Sequence, residues 1–140
     1  MDLNNLAKKY LINTWQNYWD KSTTGRFYYD INKTVQLKPR FCHDNRYPET
    51  ILSRLRLGRC YLNDYKFMIN RHENGLCDFC HTKEDVEHYL LKCIEFISFQ
   101  DDIIQEMIAK NTKITVKNLL KDDKFEEKIM NYVIKTRKSL

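Results

Sequence analysis

The chain has 140 residues, 24 basic and 19 acidic, for a net charge of +5, which suits one domain with a modest core and is too short to hold a polymerase palm. Nine Tyr, seven Phe and two Trp against three Gly and two Pro favour packed helices over a turn-rich β fold. With no apolar run of about 18 residues, no secretory leader at the N-terminus and an odd cysteine count of five, an intracellular chain without a membrane span or a disulfide framework is expected.

From residue 3 to 20, Leu3, Leu6, Ala7, Tyr10, Leu11, Trp15, Tyr18 and Trp19 recur at threes and fours, which predicts an amphipathic helix. Such a stripe is expected to pack into the core rather than to serve as an aromatic platform for bases. Ser22, Thr23, Thr24 and Gly25 stop it. Ile31, Val35 and Leu37 then stand beside polar residues, so a short extended segment or hairpin is expected near 26–37. Residues 38 to 47 read as a loop, with His43 an exposed histidine and Cys42 a free thiol.

Pro48 and Glu49 suit the first turn of a helix that runs through Ile51, Leu52 and Leu55 to Gly58, a left-handed cap. Arg54, Arg56 and Arg59 give this helix a basic edge. A second helix is expected from Tyr61 to Asn70, after which Asn74-Gly75 turns the chain.

Residues 77 to 93, C-D-F-C-H-T-K-E-D-V-E-H-Y-L-L-K-C, place Cys77, Cys80, His88 and Cys93 in the pattern C-x2-C-x7-H-x4-C. Three thiols and an imidazole at these intervals can close on one tetrahedral ion, and zinc suits that donor set. His81 is the rival ligand, though its place beside Cys80 would strain the loop. Thr82 with Asp85 makes a Thr-x-x-acid helix start. His88 and Cys93 cannot share a face of a regular helix, because five residues at about 100° each leave them roughly 140° apart. The helix is therefore expected to tighten or end near Lys92. Four protein ligands leave no open position for a catalytic water, so the site is read as structural.

Beyond Cys93, apolar residues at 96, 97, 99, 103, 104, 107 and 108 predict another amphipathic helix. Thr115 or Asn118 starts a short turn, and Asp123 opens a last helix that ends in basic residues. Residues 1–110 are thus expected to form a mainly α domain with a zinc knuckle at 75–94, and 111–140 a C-terminal helical appendage. Charge is uneven: the segment holding the cysteines is acidic, whereas 36–71 and 111–140 are basic. A polyanion would meet the arginines before the knuckle, with the lysine-rich tail as a second expected contact and the knuckle as a brace.

W-Q-x-x-W-x-x-S-x-x-G-R (Trp15 to Arg26), R-L-R-L-G-R (Arg54 to Arg59), L-N-x-Y (Leu62 to Tyr65) and C-x2-C-x3-E-D-V-E-H-x-L-x2-C, in that order, resemble the C-terminal region of non-LTR retrotransposon reverse transcriptases. The likeness covers roughly residues 12 to 100. It implies metal ligands at Cys77, Cys80, His88 and Cys93 and a basic-glycine block at Arg54, Arg56, Gly58 and Arg59. Relatives commonly have a small hydroxyl residue followed by Gly-His where this chain has Leu57-Gly58-Arg59. The resemblance implies a piece that helps hold template RNA or target DNA, in the nucleus or a cytoplasmic ribonucleoprotein, beside polymerase and RNase H domains.

Chemistry is not expected of the chain itself. Phe99-Gln100-Asp101-Asp102 copies the aromatic-x-Asp-Asp motif of polymerases but lies in a helical pattern, and Asp64, Glu73 and Glu87 lack strands to gather them. Cys60 beside Arg59 reads as a buried structural thiol. The expected function is non-catalytic nucleic-acid binding, with Arg54, Arg56 and Arg59 on phosphates and Tyr61 or Tyr65 stacking on bases. The alternative is a zinc-stapled helical scaffold for protein docking.

Overall fold

The computed structural model describes residues 2–41 and 43–140, so the expectation for Cys42 falls outside it. Among the described residues seven α-helices run in order: α1 Leu3–Lys21, α2 Arg26–Ile31, α3 Arg46–Leu57, α4 Asn63–Met68, α5 Ile97–Ala109, α6 Val116–Lys121 and α7 Glu126–Thr136. A π turn at His88–Lys92 and 3₁₀ turns at Ile94–Phe96 and Asp123–Phe125 join them, and the one pairing of extended backbone is an isolated antiparallel bridge between Leu76 and Lys83. The protein is mainly α, and among the described residues no helix is long and apolar enough to cross a membrane.

The ends of these helices follow from their residues. Asn45 caps α3 by accepting from the Tyr47 N–H, Pro48 sits in the first turn where its missing donor is not needed, and Gly58 closes the helix at φ 67°. A Cβ at Gly58 would also press on the Phe27 ring at 3.3 Å. Thr115 caps α6 through the Asn118 N–H. The extended segment expected near 26–37 is instead a helix over Arg26–Ile31, followed by irregular chain. Phe27, Tyr28 and Ile31 stand at helical spacing, so one face can reach the core, where Ile31 is buried.

One core joins both halves of the sequence. Leu52 and Leu55 of α3, Leu90 of the knuckle, Ile103 and Met107 of α5, Leu119 and Leu120 of α6 and Ile129 of α7 are all wholly buried in it. Residues beyond 111 are therefore integral to this core. Tyr89, Phe96 and Tyr132 meet edge to face, with centroids 5.2 to 6.3 Å apart, where the knuckle meets α5 and α7.

The first helix departs from expectation. None of its residues is buried, and Leu3, Tyr10 and Tyr18 are 80%, 75% and 72% exposed. The stripe predicted to enter the core faces outward except at Trp19, which is partly buried. The side carrying Gln16 and Trp19 holds the helix to the body: Gln16 accepts from the Val35 N–H and donates to the Lys33 carbonyl, and the Trp19 indole donates to the Asn32 carbonyl. Arg26 reaches back to the Trp19 carbonyl and lies over the Trp19 and Tyr29 rings. Gln16 and Trp19 of the W-Q-x-x-W block thus form a clasp through the polar atoms of an amide and an indole.

Candidate metal centre

The knuckle begins where Gly75, at φ 72°, brings the backbone close to Phe67, whose Cβ would lie 3.1 Å from an added methyl. Leu76 pairs with Lys83, the Cys77 N–H donates to the Thr82 carbonyl, and the His81 N–H donates to the Cys77 carbonyl. This tight loop carries Cys77 and Cys80 on one side. Asp85 accepts from the His88 N–H and starts the helical segment that brings in His88.

The segment then widens. The Cys93 N–H donates to the His88 carbonyl five residues back, at 2.8 Å, which is the hydrogen bond of a π turn. A π turn advances the chain less per residue than an α-helix, so the residue five positions on comes round toward the first. The helix does end after Lys92, but it loosens where tightening was an option; that loosening reconciles H-x4-C with a single site. Gln100 of α5 fixes the exit by donating to the Cys93 carbonyl.

Cys77, Cys80, His88 and Cys93 converge so that one donor atom from each lies within 4.8 Å of all the others, and no other such group of three or more occurs among the described residues. The Cys77–Cys93 and Cys80–Cys93 sulfur separations are 3.8 and 3.9 Å. Disulfide sulfurs are about 2.05 Å apart. Sulfurs held about 2.3 Å from one tetrahedral ion are about 3.8 Å apart.

A second observation agrees. His88 Nε2 is the one buried side-chain polar atom, among the described residues, without a hydrogen-bond partner. Its other nitrogen, Nδ1, lies 3.3 Å from the Thr82 hydroxyl. An imidazole donating Nδ1–H to Thr82 keeps the Nε2 lone pair for a metal. Thr82, read from sequence as a helix cap, therefore orients the histidine while Asp85 does the capping. Burial pushes the Cys93 thiol up, and the adjoining Cys77 and Cys80 sulfurs push it further, so a thiolate at Cys93 would call for a cation beside it. The residues present fit a metal ion. His81 is exposed at φ 54° and lies outside the cluster.

Two residues absent from the predicted site tie the knuckle to its neighbour. Glu84, 3% exposed, accepts from the Asn63 backbone N–H at 2.7 Å and from Lys138 at 2.6 Å. The buried Asn63 side chain donates to the Leu76 carbonyl. A carboxylate at the N-terminus of α4 satisfies donors that the helix leaves open. Their signal was present in the L-N-x-Y and E-D-V-E-H blocks, which meet at this pair.

The expected basic edge divides. Arg56 is 3% exposed, donates to Glu126 at 2.6 Å and to the Leu120 carbonyl, and stacks on Phe41. The expectation that it contacts phosphate is corrected: its charge is consumed in joining α3 to α7. Arg54 donates to the Leu140 carbonyl at 2.6 Å. Arg59 is exposed with its guanidinium 5.8 Å from the Tyr65 ring, and Lys66 lies 4.7 Å from the ring of the exposed Tyr61.

The tempting catalytic groups are dispersed. Asp102 pairs with Lys135, Asp64 with Lys83 and Glu87 with Lys92. Burial pushes the Cys60 thiol up to about 12, opposite to activation. No protein-family model, no curated protein and no solved structure matches this chain.

Proposed function

We propose that the chain is a zinc-stapled, nucleic-acid-binding accessory module that holds RNA or DNA without catalysis, and that it belongs to a non-LTR retroelement reverse transcriptase. The observation that carries this reading is the pair of cation–aromatic contacts, Arg59 with Tyr65 and Lys66 with Tyr61, at a helix anchored directly on the metal knuckle. Zinc suits the three sulfurs and one imidazole nitrogen. By fixing the loop that carries Glu84, the ion holds the start of α4 and so the positions of Tyr65 and Lys66. The cations suit phosphates and the rings suit unpaired bases. The four sequence blocks that resemble the retroelement region support the same reading.

The test is a salt titration of binding to single-stranded RNA, single-stranded DNA and duplex DNA, with the zinc-loaded chain and an Arg59→Ala/Lys66→Ala variant. Affinity should fall log-linearly with salt, and the variant's slope should be shallower by about 2. Equal affinity and slope in the two proteins would remove the reading.

One observation favours docking to a protein such as the polymerase or RNase H domain of the same element: the outward stripe of α1. Leu3, Leu6, Tyr10, Leu11, Trp15 and Tyr18 are each more than half exposed on one 19-residue helix. An apolar patch of that extent marks interaction surfaces.

A further inference from the structure

A cavity of about 500 Å³ opens between the second half of α1, the chain from 32 to 41 and α3. Its walls are aromatic: Trp15, Trp19, Tyr28 and Phe41 all line it, with Lys38 at its rim. Three of these walls are fixed in place. Trp19 donates to the Asn32 carbonyl, the Tyr28 hydroxyl accepts from the Asn32 amide, and the Arg56 guanidinium lies 3.6 Å from the centre of the Phe41 ring. Arg40 braces the loop by donating to the carbonyls of Ile31 and Lys121. Trp15 completes the set as a half-exposed ring one helical turn before Trp19.

We infer that this cavity is a stacking site for an unpaired base of a single-stranded nucleic acid. A planar base needs aromatic surface held in place in advance, a polar edge to read and a cation near its phosphate. The walls supply the first, the hydroxyls of Thr34 and Ser53 the second and the Lys38 ammonium the third. The size lies within the range of about 300–1,000 Å³ for small-ligand sites, and fixed walls reduce the ordering that binding requires. Duplex bases, stacked on one another, cannot enter. The inference rests on the nucleic-acid reading above and adds a second place of contact, apart from Arg59 and Lys66. It also gives the Trp15–Trp19 spacing a role beyond clasping α1.

Both tryptophans of the chain line the cavity, so intrinsic fluorescence reports on this site. The zinc-loaded chain is titrated with oligo-dT and oligo-rU of about eight nucleotides and with a hairpin duplex, while anisotropy of labelled strands measures binding at any site. Saturable quenching by the single strands, with little by the duplex, is expected to track the anisotropy. Trp15→Ala should weaken single-strand binding about tenfold and Trp15→Phe should largely restore it, as expected for stacking. Trp15 is half exposed, so neither change removes a core residue. Anisotropy that rises without quenching, or a Trp15→Ala protein of unchanged affinity, overturns the cavity and leaves the Arg59 and Lys66 reading standing. No binding in either channel overturns both.

Discussion

Arg56 Nη2 lies 2.6 Å from Glu126 Oε1, and this pair joins the third helix to the last across the core. Both groups are taken from water, at 3% and 12% side-chain exposure, and His43 approaches the other carboxylate oxygen. Removing one partner strands a buried charge. Arg56→Ala is expected to cost about 3–5 kcal/mol, whereas Arg56→Met with Glu126→Leu should come close to neutral. Urea unfolding of the three proteins checks this. A phosphate-contacting arginine would behave otherwise: its loss would change the salt slope of binding and leave stability intact.

Thr82 has a role that a helix cap does not have. If its hydroxyl holds Nδ1 of His88, Thr82→Val keeps the volume and removes that partner. Metal affinity should fall about 10- to 100-fold, the usual loss for a group that orients a ligand. Cys93→Ser and His88→Ala should do worse, since each removes a ligand. Competition with a chromophoric chelator measures all three. An unchanged affinity in Thr82→Val would refute the orienting role.

The cluster of three cysteines and one histidine was legible in sequence because ligand spacing is local. Cys77 and Cys80 need one turn, and His88 and Cys93 one helical segment. The choice of a π turn was not legible, since it depends on Gln100 and the aromatic cluster drawing the exit toward α5. Helix caps at Gly58 and Thr115 were likewise written in single residues. Long-range partners were not. Arg56 and Arg59 are three residues apart on a basic edge, and only Glu126, 70 residues later, decides that one is core and the other surface. The α1 stripe misled for a related reason: periodicity reports an apolar face, and nothing in it states whether this chain covers that face.

Lys138 ties the end of the chain to the knuckle through Glu84. Burial acts to lower its ammonium, but the Glu84 carboxylate, helped by the Glu95 and Cys77 charges, holds it above the ordinary 10.5. A raised folded-state value means stabilisation that is complete below the unfolded value and lost as pH rises through the folded one. The stability difference between the native chain and Lys138→Met should therefore be constant through neutral pH and shrink above pH 10.5. Denaturant unfolding of the pair from pH 7 to 11.5 reads that difference; a loss already complete near pH 8 would contradict the assigned linkage.

Leu6 and Tyr10 test what the outward face of α1 is for. They are 52% and 75% exposed, so Leu6→Lys and Tyr10→Lys should change stability by no more than about 0.5 kcal/mol. Had the stripe been core, each would have buried an unpaired charge. Trp19→Ala is the contrasting change, because it removes the bond to Asn32 and the surface on which Arg26 lies, and it should release α1 from the body. Protease nicking near residues 21–25 would report that release. The lysine variants also separate two uses of the helix. If its apolar face docks a protein, both substitutions abolish capture of that partner and leave single-strand affinity unchanged or slightly raised by the added charge. If α1 serves only to hold Trp15 and Trp19 at the cavity, capture and quenching are both indifferent to Leu6 and Tyr10, which stand one to three turns away from it.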